Sequence, residues 1–118
     1  MRRRFLAVAG LIALASMSAY SADNVTPEQY MNHLGVLIGH AKITCGVSDD
    51  DLKKLYELKD KAVSQEPSLV DEFQKGLDQA TAEHQQAEQA HMLPYAKDRY
   101  CPGAMKMVER AKAGRYDH

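Results

Sequence analysis

Three residues in the stretch "AEHQQAEQAH" have types and spacing suited to chemistry: His84, Glu88 and His91. Glu88 follows His84 by four and precedes His91 by three, so a helix through them would carry all three on one face. Glu88 to His91 spells Glu-x-x-His, the pattern of di-iron bundles. Those sites need a second copy of the motif and two further inward glutamates. This chain has one copy, so no metal is assigned, and the plain reading is a polar end of a helix seam. If an ion were held here, imidazole and carboxylate ligands would suit zinc or copper. His33 and His40 lie seven apart in an earlier segment. Two helical turns separate them by about 10 Å, too far to grip one ion by themselves. Either of them can approach the His84 group from a neighbouring helix. A haem held non-covalently by a methionine, such as Met31 or Met105, and a histidine is a further alternative. No cofactor is expected.

Cys45, in "HAKITCGVSDDD", is one of only two cysteines. Its role depends on the compartment. Residues 2–4 are all arginine, residues 5–15 are an apolar run, and small residues follow, with Ala19 and Ser21 in the −3 and −1 positions of a cleavage site. The run is shorter than the roughly 20 residues a membrane span needs. Residues 1–21 therefore read as a cleaved signal peptide, cut after Ser21 or nearby Ala22. Residues 22–118 then form one domain in the periplasm or outside the cell. In an oxidising compartment two distant cysteines pair most simply with each other, Cys45 with Cys101. There is no Cys-x-x-Cys, and a Cys45–His40 nucleophile would require Cys101 to be idle. Closing the chain from residue 45 to residue 101 removes about 4 kcal/mol of unfolded-state entropy, which makes the bond a structural staple.

Without the signal peptide the chain keeps 12 basic and 16 acidic residues, a net charge of −4. An acidic surface excludes nucleic acid, which is bound by clustered Lys and Arg. It equally disfavours anionic lipid, and stable membrane insertion is not expected after cleavage.

The elements that must position these residues are helices. "TPEQY" is a capping box, with Thr26 as N-cap, Pro27 at N1 and Gln29 at N3. Tyr30, Leu34, Leu37, Ile38, Ala41 and Cys45 follow as an apolar face until Gly46. Ser48 caps a second helix, with Asp49, Asp50 and Asp51 on the positive end of its dipole. Leu52, Leu55, Tyr56, Ala62 and Val63 face inward, with Leu58 at the edge. Ser68 and Asp71 form a Ser-x-x-Asp cap for a third helix. That helix carries a seam at Val70, Phe73, Leu77, Ala80, His84, Ala87 and His91, running to about Met92 before Pro94. Phe73 and Leu77 should anchor it, and the half from His84 to His91 should be looser. A last helix starts between Tyr95 and Pro102, ends near Ala113, and turns Cys101, Ala104, Met105, Val108 and Ala111 inward. Gly35 and Gly39, one turn apart in "GVLIG", are expected to permit close helix contact.

The fold class is all-α, a small antiparallel bundle of about four helices after the signal peptide, with one long-range disulfide. In up-down-up-down order the first helix ends where the fourth begins, which already brings Cys45 and Cys101 together. No His-Glu-x-x-His, Gly-x-Ser-x-Gly, Ser-x-x-Lys or Gly-rich phosphate loop is present, so no catalytic residue is named and the protein reads as non-enzymatic. The leading expectation is a small secreted or periplasmic binding or interaction protein whose partner is another protein. In format (small size, one long-range disulfide, a periplasmic address) the chain is similar to acid-stress periplasmic chaperones, with none of their motifs matched. That similarity implies the alternative of a holdase whose histidines respond to pH. A metal- or haem-binding bundle is the second alternative.

Overall fold

A computed structural model describes residues 25–115. The signal-peptide reading of residues 1–21 lies outside these. Among the described residues there are four α-helices and no strand: α1 Pro27–Gly39, α2 Asp49–Gln65, α3 Leu69–Gln89 and α4 Leu93–Lys112. Together they form an all-α bundle closed by the Cys45–Cys101 disulfide, with Cα atoms 5.7 Å apart. Among the described residues no helix is long and apolar enough to cross a membrane.

The capping box opens α1 as its residue types require: Thr26 Oγ1 accepts from the Gln29 amide and Gln29 Oε1 accepts from the Thr26 amide, both at 3.1 Å. Beyond Gly39 the chain winds wider, into a π turn over His40–Thr44, where the Cys45 amide reaches back to the His40 carbonyl at 2.9 Å. Gly46 then takes φ +73° and ends the segment. Ser48 Oγ accepts from the Asp51 amide at 3.2 Å and starts α2.

Three expectations about helix ends need correction. Ser68 sits in helical backbone and its side chain caps nothing. The carbonyls of Glu66, Pro67 and Ser68 instead take the amides of Leu69, Val70 and Asp71 in a tight i→i+3 turn, leaving the hydroxyl no free amide to accept from. Helix α3 stops at Gln89 rather than near Met92. His91 adopts φ +58°, its amide bonds the Glu88 carbonyl, and the Met92 amide bonds the Ala87 carbonyl at 2.7 Å, a Schellman closure with histidine in the position glycine usually fills. Pro94 then opens α4 instead of delaying it, because an N-terminal turn has no use for the missing N–H. Pro102 lies inside α4, so the Asp98 carbonyl has no i+4 amide to receive.

The core joins Met31, Leu34 and Ile38 of α1 to Leu52 and Leu55, Leu69 and Phe73, and Ala104, Val108 and Ala111. Met31 is fully buried whereas Tyr30, placed on the inward face by its hydropathy, is 38% exposed. The reason is the glycine stripe. Gly35 lies against Phe73, Gly76 and Leu77, and Gly39 against Ala80 and Leu77, so α1 presses its bare backbone onto α3. That approach, expected from "GVLIG", rotates the buried face of α1 by about one residue. A hydropathy count gives glycine no weight and cannot see the rotation. The same register, with Asn32 Nδ2 donating to the Glu72 carbonyl at 3.5 Å, shows α1 and α3 running parallel. Alternate helices of an up-and-down succession do so.

Candidate functional site

The π turn decides what its own side chains can meet. It projects His40 and Thr44 from the end of α1 into the space between α3 and α4, where both are buried, 2% and 3% exposed. His40 Nδ1 lies 2.8 Å from Thr44 Oγ1, and its Nε2 lies 2.8 Å from Glu83 Oε1 on α3. Thr44 Oγ1 is also 3.2 Å from His84 Nδ1. The His40 ring stacks on Tyr100 of α4, centroids 3.8 Å apart and planes within 8°. Gln79 Nε2 donates to the other Glu83 oxygen at 3.2 Å. One buried imidazole thereby fastens α1, α3 and α4 with both nitrogens satisfied, as a buried polar ring requires.

The row Glu83–His40–Thr44–His84 has two self-consistent proton arrangements. With His40 neutral, Nε2–H donates to Glu83, the Thr44 hydroxyl donates to Nδ1, and Thr44 Oγ1 accepts from His84 Nδ1–H. With His40 doubly protonated, Nδ1–H donates to Thr44 and the hydroxyl turns its proton to His84 Nδ1. The second state follows from the first when the His84 Nδ1 proton passes to Thr44 Oγ1 as the Thr44 hydroxyl proton passes to His40 Nδ1, so the row is arranged to relay a proton between half-buried His84 and the buried pair. Thr44, His40 and Glu83 are also the residue types of a nucleophile–base–carboxylate triad. Here the hydroxyl is 3% exposed and engaged by both His40 and His84.

The metal candidates come apart. His84 joins this row, Glu88 is exposed on α3, and His91 is exposed in the left-handed turn beyond the helix. The proposed shared face ends at Gln89, so the three do not converge. Among the described residues no group of three His, Cys, Asp or Glu side chains is placed to hold an ion. The expected approach of His40 to His84 does occur, bridged by Thr44. His33 is exposed and Met31 is in the apolar core. Thr44, Glu83 and Tyr100 escaped sequence reasoning. Their only signals were adjacency: Thr44 four after His40, Glu83 beside His84 and Tyr100 beside Cys101.

Two grooves flank the row. The larger, an open cleft of about 830 Å³, runs beside the disulfide and is lined by Thr44 and His84, by Ile43, Leu93 and Met105, and by Lys97 and Asp98 at its rim. The smaller, about 340 Å³, lies between α1 and α4 and reaches His40 and Tyr100 at one end. There Arg99 hydrogen-bonds Tyr95 and lies 5.7 Å over the Tyr100 ring, and these phenols raise its pKa above the usual guanidinium value. Burial likewise raises the Tyr30 phenol above its ordinary 10.0.

No protein-family model, no curated protein and no solved structure matches this chain.

Proposed function

We propose that the mature chain is a small, non-enzymatic binding protein of the periplasm or extracellular space, whose partner is another protein. The observation that carries this reading is the groove beside the disulfide. Ile43 and Met105, 41% and 39% exposed, line it together with Leu93, Pro102, Lys97 and Asp98. Exposed apolar side chains rimmed by charge, on a frame stapled by a covalent bond, have the anatomy of a small recognition surface. The occupant that fits is a short apolar segment flanked by opposite charges.

The test is capture from extracytoplasmic extract at pH 7 by residues 22–118 and by an Ile43→Ser/Met105→Ser double variant. Discrete partners held by the parent and released by the variant, at unchanged Tm, support the reading. Capture indifferent to the two substitutions refutes it.

A second reading, the acid-responsive holdase, draws on His40. His40 and Glu83 pair at 2.8 Å where α1, α3 and α4 meet, and a buried cation deprived of its counter-ion is a costly state. Thr44 and Tyr100 also contact that ring, His84 meets it through Thr44, and His33 and Arg99 line the same groove. The α1–α3–α4 junction would then loosen and expose apolar surface. Suppression of client aggregation at pH 4 but not at pH 7, lost in His40→Phe, is the outcome this reading expects. Equal behaviour at both pH values rejects it.

A further inference from the structure

The smaller groove has a lining that includes Arg99 and Lys106 of α4. Along α4, Arg99, Gly103 and Lys106 recur at spacings of 4 and 3, which sets them in one stripe along the groove. His33 of α1 adds a further titratable nitrogen, and among the described residues no carboxylate lines the space. The mature chain is net acidic, so this is a local concentration of positive charge against the general trend. Between the cations the walls are apolar, formed by Val36 and Leu37 of α1 and by Ala104 and Met107 of α4.

Gly103 supplies a second observation. A glycine within a helix is unfavourable relative to alanine. At Gly35 and Gly76 close backbone contact explains the residue, but a Cβ at Gly103 would meet nothing within 4 Å. Packing among the described residues gives no reason for it. Its effect is to keep the floor of the groove open between Arg99 and Lys106. At about 340 Å³ the space falls within the range of small-ligand sites, roughly 300–1,000 Å³.

We propose that the α1–α4 groove binds a small amphipathic anion: one carboxylate, sulfate or phosphate head held by the cationic stripe, with a short apolar body lying over Gly103 against Leu37 and Met107. This site is separate from the protein-binding groove and stands whether or not that reading holds. Arg99 lies 5.7 Å over the Tyr100 ring at the edge of this groove.

Calorimetric titration of residues 22–118 with sodium decanoate tests the proposal, with acetate as the head alone and decyl maltoside as the uncharged chain. Saturable decanoate binding is expected, at least tenfold tighter than either control. Arg99→Gln/Lys106→Gln, two exposed changes, should weaken it at least tenfold without moving Tm. Gly103→Leu should abolish it by filling the floor. Co-sedimentation with phosphatidylglycerol vesicles, compared with phosphatidylcholine, separates a bilayer source of the anion from a soluble one. No saturable decanoate binding, or binding unaffected by Arg99→Gln/Lys106→Gln, overturns the proposal. So does decyl maltoside binding as tightly as decanoate. A hexaglutamate peptide binding more tightly than decanoate would reassign the groove to acidic protein segments.

Discussion

The same substitution should have opposite signs at two glycines. At Gly76 an added Cβ would stand 2.8 Å from the Val36 amide nitrogen and 2.9 Å from Gly35 Cα, and would also strike the Asn32 carbonyl. All three are backbone atoms of α1, so no rotamer change relieves the clash. Helix α1 must retreat by roughly 1 Å to regain ordinary contact distances. Overpacking of this kind costs typically 1–3 kcal/mol, and backbone obstruction places Gly76 at the upper end. Helix propensity returns about 1 kcal/mol on replacing glycine by alanine. The net expectation for Gly76→Ala is a loss of about 2 kcal/mol, or a Tm lower by roughly 8–16 °C for a domain of this size. At Gly103 the propensity gain is unopposed, because a Cβ there touches nothing within 4 Å, and Gly103→Ala should stabilise by about 0.5–1 kcal/mol. Urea unfolding followed by far-UV circular dichroism gives both values, provided the slope m is unchanged. If Gly76→Ala proves as stable as the parent, the direct α1–α3 backbone contact is wrong, and with it the account of why Met31 rather than Tyr30 is buried.

Other expectations follow from single observations. Thiol labelling of the unfolded, unreduced mature chain should find no reactive cysteine, and Cys45→Ala/Cys101→Ala should cost about 2–4 kcal/mol; two labelled thiols would contradict the pairing. Phe73→Ala should cost about 3–5 kcal/mol. Leu77→Ala should cost only about 1–2, because Leu77 is half-buried rather than the full anchor its seam position suggested. Glu83→Leu leaves the buried His40 Nε2 unpaired and should cost about 1–3 kcal/mol at pH 7, whereas Glu83→Gln keeps an acceptor and should cost less; equal losses would show that the hydrogen bond is not what matters. The raised pKa of Tyr30 favours its neutral form in the fold, so its contribution is intact below the unfolded value of about 10 and is lost as pH rises through the folded one. Melting temperature should therefore drop above about pH 10, and Tyr30→Phe should drop less over the same range; identical profiles would remove Tyr30 from the explanation.

Much of the frame is local and was legible from residue types alone. Thr26, Pro27 and Gln29 cap α1 because side chain and amide are three residues apart whatever the rest of the chain does. Ser48 starts α2 for the same reason, and Gly46 and Gly114 turn the chain where positive φ is needed. Two cysteines, an expected oxidising compartment and alternating helix direction together pointed to the Cys45–Cys101 pair. Periodicity placed Leu52, Leu55, Phe73, Ala104 and Val108 inside. The tertiary structure decided everything that depends on how two helices meet. Backbone contact through Gly35, Gly39 and Gly76 set the rotation of α1, a term absent from any hydropathy pattern. The π turn broke the register that extrapolation assumed, swinging His40 and Thr44 inward, while the Schellman closure took His91 off the face it was assigned to share. The histidine that matters to the site is consequently His40. Its partners Glu83 and Tyr100 are 43 and 60 residues away, His84 meets Thr44 from 40 residues away, and only packing brings them within reach.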